Sequence, residues 1–125
     1  MNELTFYECD ICKNLVYLVN DGKGKLVCCN QPMTKLEAGS EDASQEKHVP
    51  APTRNGNMLD VVVGSVEHPM IPQHYIMWIA TVQGDHVQFV HLTPDDEPKA
   101  SFNISPDDVR VYAHCNLHGL WTAEA

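Results

Sequence analysis

Four of the five cysteines lie within the first 35 residues, in two closely spaced pairs. Cys9 and Cys12 form a CxxC motif, which places two thiolates on one side of a tight turn. Cys28 and Cys29 follow as a vicinal pair, and a hairpin between the pairs would bring all four sulfurs to one tetrahedral ion. Zinc and iron both accept four thiolates, so the spacing alone does not choose between them. Buried or redox-active cysteines, including a vicinal disulfide, are the alternative interpretation of the same pattern.

Histidines supply a second set of potential ligands, but three of the seven have simpler explanations. His86 follows Gly84-Asp85, so we expect a solvated residue at a hairpin turn. His91 lies within a strand-like run, where an ordinary strand position is the simpler interpretation. His114 adjoins Cys115, and the alternation of side chains along a strand directs the two residues opposite ways.

The other four histidines are expected in loops at strand ends, where a sandwich can gather them with the last cysteine. This set comprises His48, His68, His74, His118 and Cys115. Imidazole and thiolate together suit iron. Five such ligands leave the sixth position of an octahedral ion open, and a thiolate opposite that position donates electron density, as in thiolate-ligated haem. The pattern therefore favours a redox metal at which a reaction takes place.

The charge distribution limits what can approach this second site. The net charge of −9 argues against binding to nucleic acid. Residues 1–35 are neutral overall, whereas residues 36–125 carry four bases against thirteen acids. An anionic substrate therefore needs a local positive charge, and Lys47 supplies one beside His48, since distant charges are screened beyond about 8 Å. The neighbouring Glu46 is a candidate carboxylate for the open position when the metal is oxidised.

Short apolar runs separated by turn signals predict an all-β chain. Their spacing of roughly ten residues is typical of an antiparallel sandwich. Residues 36–57 are predicted to be linker and loop, and His48–Pro52 to be extended, because proline disfavours helix in the residue before it. No apolar run reaches the roughly 18 residues of a membrane span, and no signal peptide is evident, so we expect a cytoplasmic protein with reduced cysteines. The predicted strands are 58–66, 75–82, 87–92, 100–104 and 109–113.

These motifs together resemble desulfoferrodoxin, the two-iron class of superoxide reductase, along nearly the whole chain. The resemblance implies a desulforedoxin-like domain over residues 1–36 and an immunoglobulin-like antiparallel β-sandwich over residues 37–125. The matching segments are Cys9-Asp10-Ile11-Cys12, Cys28-Cys29, Glu46-Lys47-His48-Val49-Pro50, His68-Pro69-Met70, His74-Tyr75 with Trp78, and Cys115-Asn116-Leu117-His118-Gly119 with Trp121.

The resemblance also implies two irons with different roles. The first would have four thiolate ligands and would not be required for catalysis: Cys9, Cys12, Cys28 and Cys29. The second, catalytic iron would have four equatorial imidazoles and one axial thiolate: His48, His68, His74, His118 and Cys115. Lys47 would draw in superoxide and help to stabilise the peroxide, and Glu46 would ligate the oxidised resting state.

The implied reaction is the one-electron reduction of superoxide to hydrogen peroxide in defence against oxidative stress. Members of the family are homodimers and receive electrons from rubredoxin-type donors. Two positions depart from the usual family pattern: Lys13 stands where glycine often follows the CxxC motif, and His114 where an aromatic residue is common.

Two other functions remain open on the residues alone. One is a rubredoxin-like electron carrier with a structural second metal, and the other is a zinc-binding interaction module. Metal analysis separates the zinc module from the other two. Reaction with superoxide separates the electron carrier from the reductase.

Overall fold

The computed structural model describes residues 3–39 and 43–125, and nearly all of its regular structure is β-strand. Two compact units divide the chain, Glu3–Glu37 and Ala38–Ala125. The first is a small cysteine-rich unit and the second is an antiparallel β-sandwich, which confirms the fold class predicted from the sequence. The described part of the chain contains no helix with the length and hydropathy that a membrane span requires.

The N-terminal unit consists of five short strands that surround very little core. Strand β1 lies between β2 and β5 in one antiparallel sheet, and β3 and β4 form a separate hairpin. Phe6 is fully buried and packs on Tyr17, with their ring centroids 6.0 Å apart. A unit this small needs a staple such as a bound metal to be stable. The strands are β1 Phe6–Glu8, β2 Leu15–Tyr17, β3 Val27–Cys28, β4 Gln31–Pro32 and β5 Thr34–Lys35.

Lys13 adopts a backbone conformation that favours glycine. Its φ is 66°, in the left-handed region, and its N–H donates to the carbonyl of Cys9 at 2.9 Å. A side chain in this region costs roughly 1–2 kcal/mol because its Cβ crowds the backbone. The departure at this position noted in the sequence therefore carries a local conformational penalty.

We expect Lys13→Gly to raise the free energy of unfolding of the N-terminal unit by about 1 kcal/mol, because glycine avoids this crowding but loses more entropy on folding. The measurement is thermal unfolding followed by metal release from the unit. Lys25→Gly is the matched control, since Lys25 has no positive φ. If Lys13→Gly stabilises no more than Lys25→Gly, the left-handed backbone is not a source of strain.

The C-terminal unit is a sandwich of two antiparallel sheets. One sheet has the order β10-β7-β6 and the other β12-β11-β8-β9. A single helical turn, α1, precedes the first of these strands. The elements are α1 Gln45–His48, β6 Pro50–Asn55, β7 Met58–Val63, β8 Ile76–Gln83, β9 His86–His91, β10 Lys99–Asn103, β11 Arg110–Cys115 and β12 Gly119–Glu124.

The core lies between the two sheets and follows the alternation of their strands. In β7, every second residue is fully buried, namely Leu59, Val61 and Val63. In β11, Val111 and Cys115 belong to the same buried cluster. Burying each such side chain stabilises the fold by roughly 1.5–3 kcal/mol. Cys115 is thus held by the packing of the core at the end of its strand.

Three features of the C-terminal unit differ from the sequence-based prediction. Pro50–Asn55 forms strand β6 within the segment predicted as linker; it is an edge strand, where proline is tolerated. His48 ends a helical turn, so the extended run begins at Val49 rather than at His48. Strand β12 was not predicted, although it pairs with β11 along its length. Residues 40–42 of the predicted linker lie outside the described residues.

Candidate metal centres

The N-terminal unit brings Cys9, Cys12, Cys28 and Cys29 together, and we call them the four-cysteine cluster. Their sulfur atoms all lie within 4.8 Å of one another, and none of the five cysteines of the chain forms a disulfide. Cys29 and Asn30 occupy the two-residue turn between β3 and β4, with φ of 50° and 65°. Positive φ at both positions is what a type I′ hairpin turn requires. The tight turn points a vicinal pair of cysteines toward the CxxC corner.

Backbone amides surround the sulfurs of the CxxC corner. The N–H of Cys12 donates to Sγ of Cys9 at 3.5 Å, and the N–H of Asn14 donates to Sγ of Cys12 at 3.4 Å. The first of these bonds is the largest reason that the pKa of Cys9 is lowered to about 7. Donors of this kind stabilise a thiolate, which is the form that binds metal.

The neighbouring thiols oppose ionisation of the whole four-cysteine cluster. Contact with the side chain of Cys12 is the main cause that raises the pKa of Cys29 to about 12, and Cys12 also raises the pKa of Cys28. Four thiolates at these distances repel one another unless a cation lies between them. The cluster therefore fits a thiolate-preferring metal such as iron or zinc.

The C-terminal unit gathers a second group, which we call the histidine cluster: His48, His68, His74, His118 and Cys115. The ligand atoms of His48, His68, His74 and Cys115 lie within 4.8 Å of one another. His118 lies beside them, because its Nδ1 is 3.1 Å from Nε2 of His48 and 3.8 Å from Sγ of Cys115. The structure thus brings together all five residues that the sequence singled out for this site.

Each member of the histidine cluster lies where a regular element ends or turns. His48 is the last residue of α1, and Cys115 is the last of β11. His74 forms an isolated bridge with Ile71 just before β8. His68 follows β7, and its N–H donates to the carbonyl of Val63 at 2.9 Å.

Backbone carbonyls fix the orientation of two imidazoles. Nδ1 of His48 donates to the carbonyl of Ser44 at 2.6 Å, and Nδ1 of His68 donates to that of Pro69 at 2.7 Å. Since a carbonyl only accepts, the proton must lie on Nδ1, and Nε2 of each ring presents a lone pair. The two Nε2 atoms are 3.2 Å apart.

The facing lone pairs form a donor set that a cation would satisfy. Nε2 of His74 is buried and has no hydrogen-bond partner among the described residues. Buried polar atoms are rarely left without a partner, and here several acceptors converge on one point. A metal ion satisfies them all at once, so the residues present fit a bound iron.

Burial favours the ligand form of the imidazoles in the histidine cluster but disfavours that of the Cys115 thiol. Burial lowers the pKa of His68 to about 4 and also lowers the pKa of His48 and His74. The three imidazoles are therefore neutral at pH 7. Burial raises the pKa of the Cys115 thiol, and the backbone amides of Leu117 and His118 offset this only in part. The thiol thus needs a nearby cation to ionise fully.

Glu46 and Lys47 lie in α1, two residues and one residue before His48 respectively, and both are exposed. The positive charge of Lys47 contributes to the lowered pKa of His48 and His74, behind burial and other causes. Lys47 is therefore close enough to act electrostatically on the cluster. The carboxylate of Glu46 is not one of the groups within 4.8 Å of one another.

Asn116 links the loop of His74 to the loop of Cys115, a role that was not predicted from the sequence. Its Oδ1 accepts from the N–H of Tyr75 at 3.0 Å, and its Nδ2 donates to the carbonyl of Gln73 at 3.1 Å. Its own N–H donates to the carbonyl of Tyr75 at 3.2 Å. These bonds hold the loop of His74 against the loop of Cys115. The sequence feature that could have indicated this role is its position between Cys115 and His118 in the Cys115-Asn116-Leu117-His118-Gly119 segment, the CNLHG motif.

Trp121, in β12, contacts two members of the histidine cluster. Its ring stacks on that of His48 with centroids 5.0 Å apart, and its Nε1 donates to the carbonyl of His118 at 2.9 Å. One buried side chain thus contacts two ligand residues. Its place after the CNLHG motif was noted in the sequence, but its contacts depend on the fold.

The remaining histidines lie outside the cluster, as expected from the sequence. His86 is exposed at a hairpin turn and pairs with Asp85 at 2.7 Å. His91 is an exposed residue at the end of β9. His114 is buried on the opposite side of β11 from Cys115, where its ring stacks on Trp78 with centroids 5.6 Å apart.

Comparison with known proteins decides the family. The family model described as Desulfoferrodoxin matches residues 40–124, and the model for the Desulfoferrodoxin N-terminal domain matches residues 1–36. The chain belongs to the desulfoferrodoxin family. A desulfoferrodoxin homolog from Archaeoglobus fulgidus is 50% identical over 115 residues, which covers 92% of each chain. The desulfoferrodoxin of Clostridium acetobutylicum is 47% identical over 123 residues and 98% of each chain.

The desulfoferrodoxin fold of this chain is also found in a solved superoxide reductase. The crystal structure of the superoxide reductase from Treponema pallidum superimposes with a TM-score of 0.77 at 32% identity. The match covers 97% of this chain and 98% of that chain. The resemblance inferred from the motifs is therefore confirmed, and it places the chain among relatives that include superoxide reductases.

Proposed function

We propose that this chain is a superoxide reductase whose reaction takes place at a ferrous iron in the histidine cluster. The observation that carries the proposal is the convergence of imidazole lone pairs and the Cys115 sulfur on one point. This donor set suits iron. Membership of the desulfoferrodoxin family and the similarity to a superoxide reductase support the same reaction.

When bound, the iron would supply the single electron that reduces superoxide. The balanced reaction adds this electron and two protons to superoxide and gives hydrogen peroxide. Cys115, held rigidly by the core, would contribute electron density to the ion as a thiolate. The imidazoles would complete the ligand set, because at pH 7 they are neutral and no proton occupies the nitrogen that binds the metal. The protons would come from solvent, and an outside donor would return the electron.

Lys47 would attract the anionic substrate to this otherwise acidic unit. Its exposed ammonium lies close enough to the cluster to act on His48 and His74. A single charge near the reacting position can outweigh acids that are more distant, because solvent ions screen charges beyond about 8 Å. Glu46, the residue before it, would provide a carboxylate to the oxidised metal.

We expect Lys47→Ala to slow the reaction with superoxide roughly tenfold at low ionic strength, because loss of the charge removes electrostatic steering. Pulse radiolysis or stopped-flow measurements across a series of salt concentrations would give the rates. The difference should shrink as salt rises. Lys99→Ala is the matched control, since Lys99 pairs with Glu97 at 2.9 Å. Equal rates for Lys47→Ala and wild type at every salt concentration would contradict the steering role.

The same proposal covers the rest of the molecule. The four-cysteine cluster would hold a second iron, and a rubredoxin-type protein would donate electrons. The functional form would be a homodimer that acts in defence against oxidative stress. A reducing compartment such as the cytoplasm would keep the cysteines available as thiolates.

Product stoichiometry tests the reaction directly. Iron-loaded and pre-reduced protein is mixed with superoxide, and peroxide and dioxygen are counted. One peroxide per superoxide without dioxygen supports the reductase. One peroxide and one dioxygen per two superoxides, above the spontaneous rate, would instead show a dismutase. No acceleration would contradict the enzyme and leave an electron carrier or a structural metal protein.

A further inference from the structure

A turn outside the histidine cluster contacts the backbone of the residue before Lys47. It consists of Gly64, Ser65 and Val66, and we call it the 64–66 turn. The N–H of Val66 donates to the carbonyl of Glu46 at 2.8 Å, and the hydroxyl of Ser65 donates to the same carbonyl at 3.2 Å. Two donors thus converge on one backbone oxygen in α1.

Gly64 allows an unusually close approach of the two segments. A Cβ at this position would lie 2.5 Å from the carbonyl oxygen of Glu46 and 2.9 Å from the carbonyl carbon of Lys47. It would also lie 3.0 Å from the carbonyl oxygen of Val49. All three atoms belong to the backbone, so any side chain at residue 64 must displace the α1 segment itself.

Backbone pairing and one hydrogen bond at Val63, the residue before the 64–66 turn, connect it to the segments that carry His48 and His68. The turn begins directly after β7, whose last residue, Val63, pairs in register with Pro50 of β6. The carbonyl of Val63 also accepts from the N–H of His68 at 2.9 Å. Val63, directly before the turn, therefore contacts both β6, which follows His48, and the segment that carries His68.

Helix α1 has little intrinsic stability to hold Lys47 in place. It spans only Gln45–His48, and its N-cap, Ser44, makes no side-chain capping bond. Isolated helices shorter than roughly 12 residues are marginal in water. External contacts must therefore fix this backbone, and the two bonds to the Glu46 carbonyl are contacts of that kind.

We propose that the 64–66 turn is an anchor that positions Lys47 for the capture of anions at the histidine cluster. The inference rests on the proposed role of Lys47 and assigns positioning residues to it, which act through Lys47 and do not touch the substrate. Because Coulomb energy falls with distance and salt screens it, a released α1 would leave the ammonium with less influence on an incoming anion.

Azide provides an anionic probe that does not depend on turnover. Its Kd for iron-loaded, reduced protein is measured by titration calorimetry at low and high salt. We expect Ser65→Ala to raise the Kd roughly two- to threefold at low salt, as loss of one weak neutral hydrogen bond implies. Ser65→Thr keeps the hydroxyl and should restore the wild-type value. Ser101→Ala is the matched control, since its hydroxyl bonds Asp60 at 2.6 Å.

Gly64→Ala gives a larger perturbation of the same contact. We expect it to raise the Kd of azide about tenfold. The added Cβ displaces the backbone that carries Lys47, and a misplacement of up to about 1 Å strongly weakens the contribution of a binding group. Gly24→Ala is its control, since a Cβ there meets nothing within 4 Å. Ser65→Ala keeps the test decisive if Gly64→Ala fails to fold, because Ser65 is exposed.

Combining each substitution with Lys47→Ala separates positioning from general damage. If the anchor acts through Lys47, Ser65→Ala should have no further effect on azide binding in the Lys47→Ala background. Additive effects would overturn the proposal, and so would an unchanged Kd in Ser65→Ala or in Lys47→Ala alone. Coupling between Ser65 and Lys47 in a protein that fails to reduce superoxide would support the anchor while refuting the proposed enzyme.

Discussion

Replacing Cys115 with serine is expected to abolish the reaction with superoxide while leaving the four-cysteine cluster metallated. The substitution removes the one thiolate of the histidine cluster from a position that is fully buried in the core. The loss should exceed the roughly 10–100-fold that removal of an outer-shell partner typically costs. Rates with superoxide and metal content per chain are the measurements.

Cys12→Ser should affect the four-cysteine cluster and leave the reaction with superoxide intact. Cys12 is exposed and belongs to the compact unit Glu3–Glu37, whereas Cys115 belongs to Ala38–Ala125. The variant should lose the metal of the four-cysteine cluster and still react with superoxide. Full activity in Cys115→Ser would refute the assignment of the reacting site, and loss of activity in Cys12→Ser would show that the two metals are functionally inseparable.

The metal-free protein is expected to lose stability as the pH falls from about 6.5 to about 4. Burial lowers the pKa of His68 and His114 to about 4, and it lowers the pKa of His48 and His74 as well. In this range the unfolded chain binds protons that the folded chain does not, so unfolding becomes more favourable as the pH decreases. The stabilisation is complete above about 6.5, the ordinary pKa of histidine.

His114 allows this effect to be isolated, because it lies outside the histidine cluster. Its contribution to the pH dependence should be about 3 kcal/mol, because burial lowers the pKa of His114 from the ordinary 6.5 to about 4. Denaturant unfolding of chelator-treated protein, followed by tryptophan fluorescence between pH 7.5 and 4.5, measures it. His114→Phe should reduce the loss of unfolding free energy as the pH falls. His86→Gln, which alters an exposed histidine, should not. If the unfolding free energy of His114→Phe depends on pH as strongly as that of the wild type, buried His114 is not a source of the pH dependence.

The members of the two clusters could be predicted from the sequence because their chemistry is rare and their spacing is informative. Four cysteines in 35 residues have few explanations, and the CNLHG segment places Cys115 and His118 three residues apart at a strand end. The exclusion of His114 followed from the alternation of side chains, and its stack on Trp78 agrees with that reasoning. Strong β-branched runs likewise marked β7, β8 and β9 to within a few residues.

The supporting structure depended on contacts that a single sequence does not display. Strand β6 carries two prolines, which argue against a strand unless it is known to lie at an edge. The bonds from Asn116 to the loop of His74 join residues more than forty positions apart. The close approach of Gly64 to Glu46 is similarly a property of backbone geometry. The sequence thus indicated which residues converge in the two clusters but not what holds them in position.

The order of the ligands along the chain implies an order of assembly during synthesis. The four-cysteine cluster is complete once Cys29 has been made, and it belongs to a compact unit of its own. At that point no member of the histidine cluster has been made, and its last member, His118, lies 89 positions after Cys29. At typical elongation rates this interval is roughly 4–18 s. The nascent chain can therefore take up its first metal at the ribosome, whereas the second metal can be bound by its full ligand set only after His118 has been made.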